Sequence, residues 1–133
     1  VARLNLASEA TGATDRILEP RAGTREVSLP EKVRADVVRG GPGADRIEGG
    51  TGYDVLYGGD GPDTILGGAH GDTIWGGAGR DIVRGGYGND VIRVGGDRTA
   101  DAVTCGPGWD VAYLGRGDIA DSSCERRVRR LEP

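Results

Sequence analysis

An aspartate recurs every nine residues at Asp45, Asp54, Asp63, Asp72, Asp81 and Asp90, without a slip. Each is sixth in a nonapeptide of the form Gly-Gly-x-Gly-x-Asp-x-U-x, where U is a large aliphatic residue. The six copies over residues 40–93 read GGPGADRIE, GGTGYDVLY, GGDGPDTIL, GGAHGDTIW, GGAGRDIVR and GGYGNDVIR. Carboxylates at so strict a period have two chemical uses. They can serve as side-chain acceptors in turns, or they can gather cations. Acid–base or nucleophilic catalysis needs an acid/base pair or an activated nucleophile. No such constellation accompanies them, so the chain is read as no enzyme.

The elements that must hold these carboxylates follow from the same period. Glycines at positions 1, 2 and 4 permit positive φ, so the first six residues predict a tight turn. The last three, x-U-x, predict a short strand with U on one face and its neighbours on the other. Ile47, Leu56, Ile65, Ile74, Val83 and Ile92 therefore share an inside. Two repeats close one 18-residue coil, and coils stack at the strand spacing of roughly 4.8 Å. The expected fold is all-β, a parallel β-roll: a right-handed solenoid with two strands and two Gly/Asp turns per coil. Asp45, Asp63 and Asp81 fall in one column of turns, and Asp54, Asp72 and Asp90 in the other. Like carboxylates about 5 Å apart repel unless a cation intervenes.

The repeat resembles the haemolysin-type, or repeats-in-toxin (RTX), calcium-binding nonapeptide, a parallel β-helix repeat. The resemblance implies one Ca²⁺ between stacked turns, held by an Asp from each turn plus backbone carbonyls. Ca²⁺ takes six to eight oxygen ligands, and Gly-rich turns expose carbonyls. At least four ions are expected, at Asp45/Asp63, Asp63/Asp81, Asp54/Asp72 and Asp72/Asp90. The alternative is a Gly/Asp turn ladder that binds no metal. Other glycine-rich readings fail on context. A phosphate-binding loop needs a helix N-terminus after it, an EF-hand a 12-residue loop between helices, and collagen a glycine at every third residue.

The flanks carry weaker copies. Residues 31–39 lie in phase, with Asp36 at the Asp position and Val38 at U. Residues 10–18 echo the pattern with Asp15 and Ile17. After Arg93 comes one inserted residue, Val94. A ten-residue unit then brings Asp101 and Val103 to the Asp and U roles, and CGPGWDVAY restores the frame with Asp110 and Ala112. Asp101 and Asp110 are candidate ligands for two more ions, six in all. The expected organisation is one continuous solenoid: degenerate coils or a cap over 1–39, six repeats over 40–93, and degenerate coils with a closed cap over 94–133.

Composition fits a solenoid better than a globular core. The 133 residues include 26 Gly, no Phe and no Met, with 5% aromatics and a net charge of −4. Four Ca²⁺ would carry that charge to +4, by −4 + 8. The calcium-free chain combines repelling Asp columns with few apolar groups, and metal supplies folding free energy. Cys105 and Cys124 read as one disulfide in an oxidising compartment. Two free buried thiols are the other reading. The segment around them resembles the disulfide-closed terminus of exported actinobacterial repeat proteins. His70, at a glycine position, reads as a residue tolerant of the left-handed region rather than a ligand.

No apolar run reaches signal or transmembrane length, and the start at Val1 reads as a processed mature protein or a fragment. The basic run Arg126, Arg127, Arg129 and Arg130 reads as a solvated solenoid end, with binding of anionic polymer as the alternative. Even repeats share an outward face with Val55, Tyr57, Thr73, Trp75, Val91 and Arg93. Homo-oligomers or filaments are expected through this face and the solenoid ends. The other expectation is that Leu4 and Leu6 of the chain's own N-terminus cover it. No nucleic acid partner and no membrane span are expected. The functional expectation is a secreted or cell-surface, calcium-binding structural module that folds on Ca²⁺ and self-assembles. The alternative is a calcium-binding module of a larger secreted toxin, protease or lipase, or an adhesin-like binder.

Overall fold

The computed structural model describes residues 2–5, 15–18, 25–28, 35–94 and 96–129. Leu6 of the expected N-terminal cover, residues 10–14 of the first weak repeat, and Arg130 lie outside them. Fourteen strands follow in order. They are β1 (Ala2–Asn5), β2 (Asp15–Leu18), β3 (Arg25–Ser28), β4 (Ala35–Arg39), β5 (Asp45–Thr51), β6 (Val55–Tyr57) and β7 (Thr64–Ala69). After these come β8 (Thr73–Trp75), β9 (Ile82–Tyr87), β10 (Val91–Arg93), β11 (Ala102–Thr104), β12 (Val111–Leu114), β13 (Ile119–Ala120) and β14 (Arg126–Arg129). Odd strands form one seven-stranded sheet and even strands the other. Every pairing is parallel. This is the parallel β-roll that the nine-residue period predicts. No helix among the described residues is long and apolar enough to cross a membrane.

The register is the repeat made visible. Ile47 pairs with Ile65 and Ile65 with Val83, while Leu56 pairs with Ile74 and Ile74 with Ile92. Each step is two nonapeptides, so every U residue lands on another. All six, with Val38, Val103 and Ala112, are buried at 3% exposure or less and form one core. The expected strands were three residues long, but β5, β7 and β9 are longer. They run through the glycines, pairing Gly50 with Gly68 and Gly68 with Gly86. A glycine backbone has no Cβ to keep two chains apart there.

Three features differ from the sequence expectations. In β2 the residue level with Asp36 is Arg16, and the one level with Val38 is Leu18. Asp15 and Ile17 are therefore one place away from the Asp and U roles assigned to them. A one-residue slip moves every side chain to the opposite face. Secondly, β1 joins the odd sheet, with Leu4 level with Val27 and Val27 level with Ile47. That segment extends the odd sheet, so it does not lie over the outward face of the even one. Thirdly, Val94, read as an inserted residue, has a place in the coil register. Val94 takes the register of Gly76, as the N–H bonds Gly76 to Arg93 O and Val94 to Tyr113 O show. It is 1% exposed, and Leu114 repeats its position one coil later.

Candidate metal centre

The aspartates form two continuous ladders along the edges where turns enter strands. On the odd edge the N–H of Asp45 donates to Oδ1 of Asp63, Asp63 to Asp81, Asp81 to Asp101 and Asp101 to Asp118. On the even edge Asp36 donates to Asp54, Asp54 to Asp72, Asp72 to Asp90, Asp90 to Asp110, and Asp110 to Oε2 of Glu125. These bonds are 2.7–3.0 Å long. Each carboxylate thus reaches back one coil and fixes the turn beneath it. All eight sequence-assigned residues, Asp45, Asp54, Asp63, Asp72, Asp81, Asp90, Asp101 and Asp110, are buried in the ladders. Asp101 is in place despite the insertion, because Asp81 to Asp101 and Asp90 to Asp110 both lengthen to 20 residues.

Sequence reasoning missed the ends of both ladders. Asp118 closes the odd edge and Glu125 the even edge, outside any nonapeptide frame. Asp118 also accepts the Gly115 N–H on its Oδ2, at 2.6 Å, so both its oxygens are spent within the protein. The interior aspartates differ. The Oδ2 atoms of Asp54, Asp63, Asp72, Asp81, Asp90, Asp101 and Asp110 are buried and have no hydrogen-bond partner. A buried anionic oxygen without a partner is costly.

The burial has an electrostatic signature. Desolvation pushes the carboxyls of Asp72 and Asp81 up to about 8, and those of Asp54, Asp63 and Asp101 to about 7. The accepted N–H bonds pull the other way, and the neighbouring carboxylates of the ladder raise the values further. Without a cation these groups hold protons in a range where an exposed aspartate is ionised.

The first glycine of each turn sets what stands beside the orphan oxygen. A Cβ at Gly49 would lie 2.6 Å from Gly67 O and 2.8 Å from Asp54 Oδ2; at Gly40 it would lie 2.5 Å from Gly58 O and 2.8 Å from Asp45 Oδ2. Glycine thus leaves room for a carboxylate oxygen of one coil and a carbonyl oxygen of the next beside the same backbone position. Both are hard oxygen donors suited to Ca²⁺. No group of three or more His, Cys, Asp or Glu side chains converges among the described residues. Carbonyls must therefore supply much of any coordination shell. At Gly85 the pair is Asp90 Oδ2 and Cys105 O. Gly76 differs: its nearest neighbours are Asp81 Oδ2 and the Val94 Cγ1 methyl, 3.2 Å from the same point.

The family model of the RTX calcium-binding nonapeptide repeat, in four copies, matches residues 39–69 and 66–98. These repeats belong to the RTX calcium-binding family. No curated protein and no solved structure matches the chain. The matched repeats are of the calcium-binding β-roll type, a structural fold rather than a catalytic one. The donor set of the RTX edges, orphan carboxylate oxygens beside carbonyls, fits that ion.

The remaining sequence expectations resolve simply. Cys105 and Cys124 form a disulfide with an S–S distance of 1.98 Å, and no free cysteine occurs among the described residues. His70 has φ of 77°, the only positive value at a described non-glycine residue. Its Nδ1 accepts the Gly52 N–H at 3.3 Å, and its ring lies 5.4 Å from that of Tyr53. It adopts the left-handed conformation that the sequence reading expected of it.

Proposed function

We propose that this chain is an extracellular structural module whose β-roll folds on binding Ca²⁺ at five edge sites. These are Asp45/Asp63 and Asp63/Asp81 on the odd edge, and Asp54/Asp72, Asp72/Asp90 and Asp90/Asp110 on the even edge. The observation that carries the reading is the row of buried Oδ2 atoms with no partner. From Asp54 to Asp110 each aspartate's N–H donates to the following coil and its Oδ1 accepts from the preceding one. A cation answers both the missing partner and the repulsion between neighbouring carboxylates. At Asp81/Asp101 the nearest neighbour after the Asp81 carboxylate is the Val94 methyl, where the other pairs have a carbonyl of the next coil, and this pair is left out of the five. RTX proteins are typically secreted, and the disulfide suits an oxidising compartment.

Self-assembly through the solenoid ends and the Tyr57/Trp75 face draws less support. The C-terminal edge strand β14 reads RRVR, and Arg127 stands level with the core residue Ala112. Arginines on an edge strand oppose strand addition. Identical copies meeting at the even face would bring Arg93 against its own counterpart or against Arg39. The test is isothermal titration of chelator-stripped protein with Ca²⁺, with circular dichroism on the same samples. About five ions bound with a gain of β signal is the expected result. A β signal and melting curve indifferent to chelator would refute the reading.

A further inference from the structure

All six aromatic residues of the chain, Tyr53, Tyr57, Trp75, Tyr87, Trp109 and Tyr113, fall in even-numbered nonapeptides, counting CGPGWDVAY as the eighth. The even sheet collects three of them in one outward row. Arg39, Tyr57, Trp75, Arg93 and Tyr113 stand level on β4, β6, β8, β10 and β12. The Tyr57 and Trp75 rings stack, with centroids 4.8 Å apart and planes 12° apart. Arg39 lies 5.2 Å over Tyr57, and Arg93 lies 5.3 Å from Trp75 and 4.5 Å from Tyr113. Rings stacked along the roll turn their faces to each other and their electropositive edges outward. The adjacent outward row is Val37, Val55, Thr73, Val91, Val111 and Arg126. From β4 to β14 no outward position of this sheet carries Asp or Glu. The odd sheet mixes signs, with Arg46 paired to Glu48.

A chain of net charge −4 thus carries, from β4 to β14, an outward row of arginines and aromatic edges beside a row made mostly of valines, with no carboxylate at a described outward position. We propose that this face binds a linear acidic polysaccharide lying along the roll axis. The charge spacing selects the class. Arg39 and Arg93 are three strands apart, about 14 Å, and Arg126 is two strands further, about 10 Å. A phosphodiester strand presents a charge about every 3.4 Å, far denser than this row. A membrane would favour cations at the rim of an apolar patch, whereas here Arg93 interrupts the aromatic row itself. A glycan with a carboxylate on every second or third sugar matches both the sparse cations and the uncharged donors between them. Guanidinium pairs with carboxylate in bidentate geometry. The proposal rests on the calcium-loaded roll, because the row exists only when coils are stacked.

The test titrates the calcium-loaded full chain with hyaluronate oligosaccharides, which carry one carboxylate per disaccharide, while circular dichroism reports folding in each sample. Saturable binding is expected. Arg93→Glu should weaken it about tenfold or more, the scale of a lost charged hydrogen bond. Arg84→Glu, on the outer face of the odd sheet, should leave it unchanged. Arg93→Gln guards against a folding defect in the charge reversal and should weaken binding in the same direction. Loss of binding on chelation together with loss of β signal supports both readings. Binding that persists with an unchanged β signal in chelator upholds the polysaccharide site and refutes calcium-dependent folding. On folded protein, four results would overturn the proposal. They are absent binding, equal weakening by Arg84→Glu and Arg93→Glu, preference for single-stranded DNA or phosphatidylserine vesicles, and self-association through Trp75 in its place.

Discussion

Replacing Asp63 by Asn separates the two roles that each ladder carboxylate is given. Asn keeps an Oδ1 acceptor for the Asp45 N–H, a bond of 2.9 Å in the parent. It removes the negative charge and the buried, unpartnered Oδ2. Asp63 faces ions on both sides, shared with Asp45 below and Asp81 above, whereas Asp45 shares only the first. At free calcium tenfold above Kd, an ion that binds only the folded chain stabilises it by about 1.4 kcal/mol. Asp63→Asn should therefore cost about 2.8 kcal/mol in calcium, and Asp45→Asn about 1.4 kcal/mol. For a chain of this size that is about 10 °C and about 5 °C in Tm. In chelator the order should vanish, because a neutral amide has less to lose by burial than a carboxylate whose pKa is raised to about 7. Thermal melts in calcium and in chelator, with ion stoichiometry by titration, make the comparison. Equal losses for Asp45→Asn and Asp63→Asn would refute shared, stacked sites. A chelated Asp63→Asn as damaged as the loaded one would refute the electrostatic argument.

Three further outcomes are expected. The folded carboxyls of the metal-free roll are raised above 3.8, so the stability their protons confer is full below about 3.8. It is lost as pH rises through about 7 for Asp63 and about 8 for Asp72. Chelated protein should show more β signal near pH 5 than near pH 8.5, while apparent calcium affinity rises across the same range. Gly49→Ala forces a Cβ to 2.6 Å from Gly67 O and 2.8 Å from Asp54 Oδ2, and should cost about 1–3 kcal/mol and one even-edge ion by titration. Reducing the Cys105–Cys124 bridge should lower stability by about 3 kcal/mol, the chain-entropy value for so short a loop. Hydrogen exchange should then show β12 and β14 opening before β5 and β7.

What was legible in the sequence was whatever repeated. The nine-residue period gave the parallel fold, the U column and the two Asp columns, because each coil makes the same contacts with the next. Asp101 and Val103 could be aligned across the insertion for the same reason. The slip at Asp15 shows the limit. In ATGATDRIL an aspartate and an isoleucine sit two apart as in a repeat, but Ala10, Thr11 and Ala13 occupy the repeat's three glycine positions. Register there is set by pairing with β4, and it places Arg16, not Asp15, level with Asp36. Val94 reads as an insertion along the chain, yet it fills the register of a glycine in space.

The ends of the ladders obey a different requirement, which explains why they escaped the pattern. An interior aspartate must accept from the coil before it and still offer an oxygen outward. Asp118 and Glu125 are the last carboxylates of the described ladders. Asp118 accepts two N–H groups, from Asp101 and Gly115. Glu125 reaches the Asp110 N–H from a shorter loop, 15 residues away rather than 20, with a longer side chain. Arg129 donates to Gly115 O and Asp118 O, using the guanidinium where the interior turns turn carbonyls toward the next coil. The disulfide ties Cys105 to the same closing segment, and Ser123 accepts from the N–H groups of Cys105 and Gly106. Side chains thus take over part of the hydrogen bonding that a regular turn supplies elsewhere in the roll. This segment departs from the repeat in sequence and yet continues its hydrogen bonds in space.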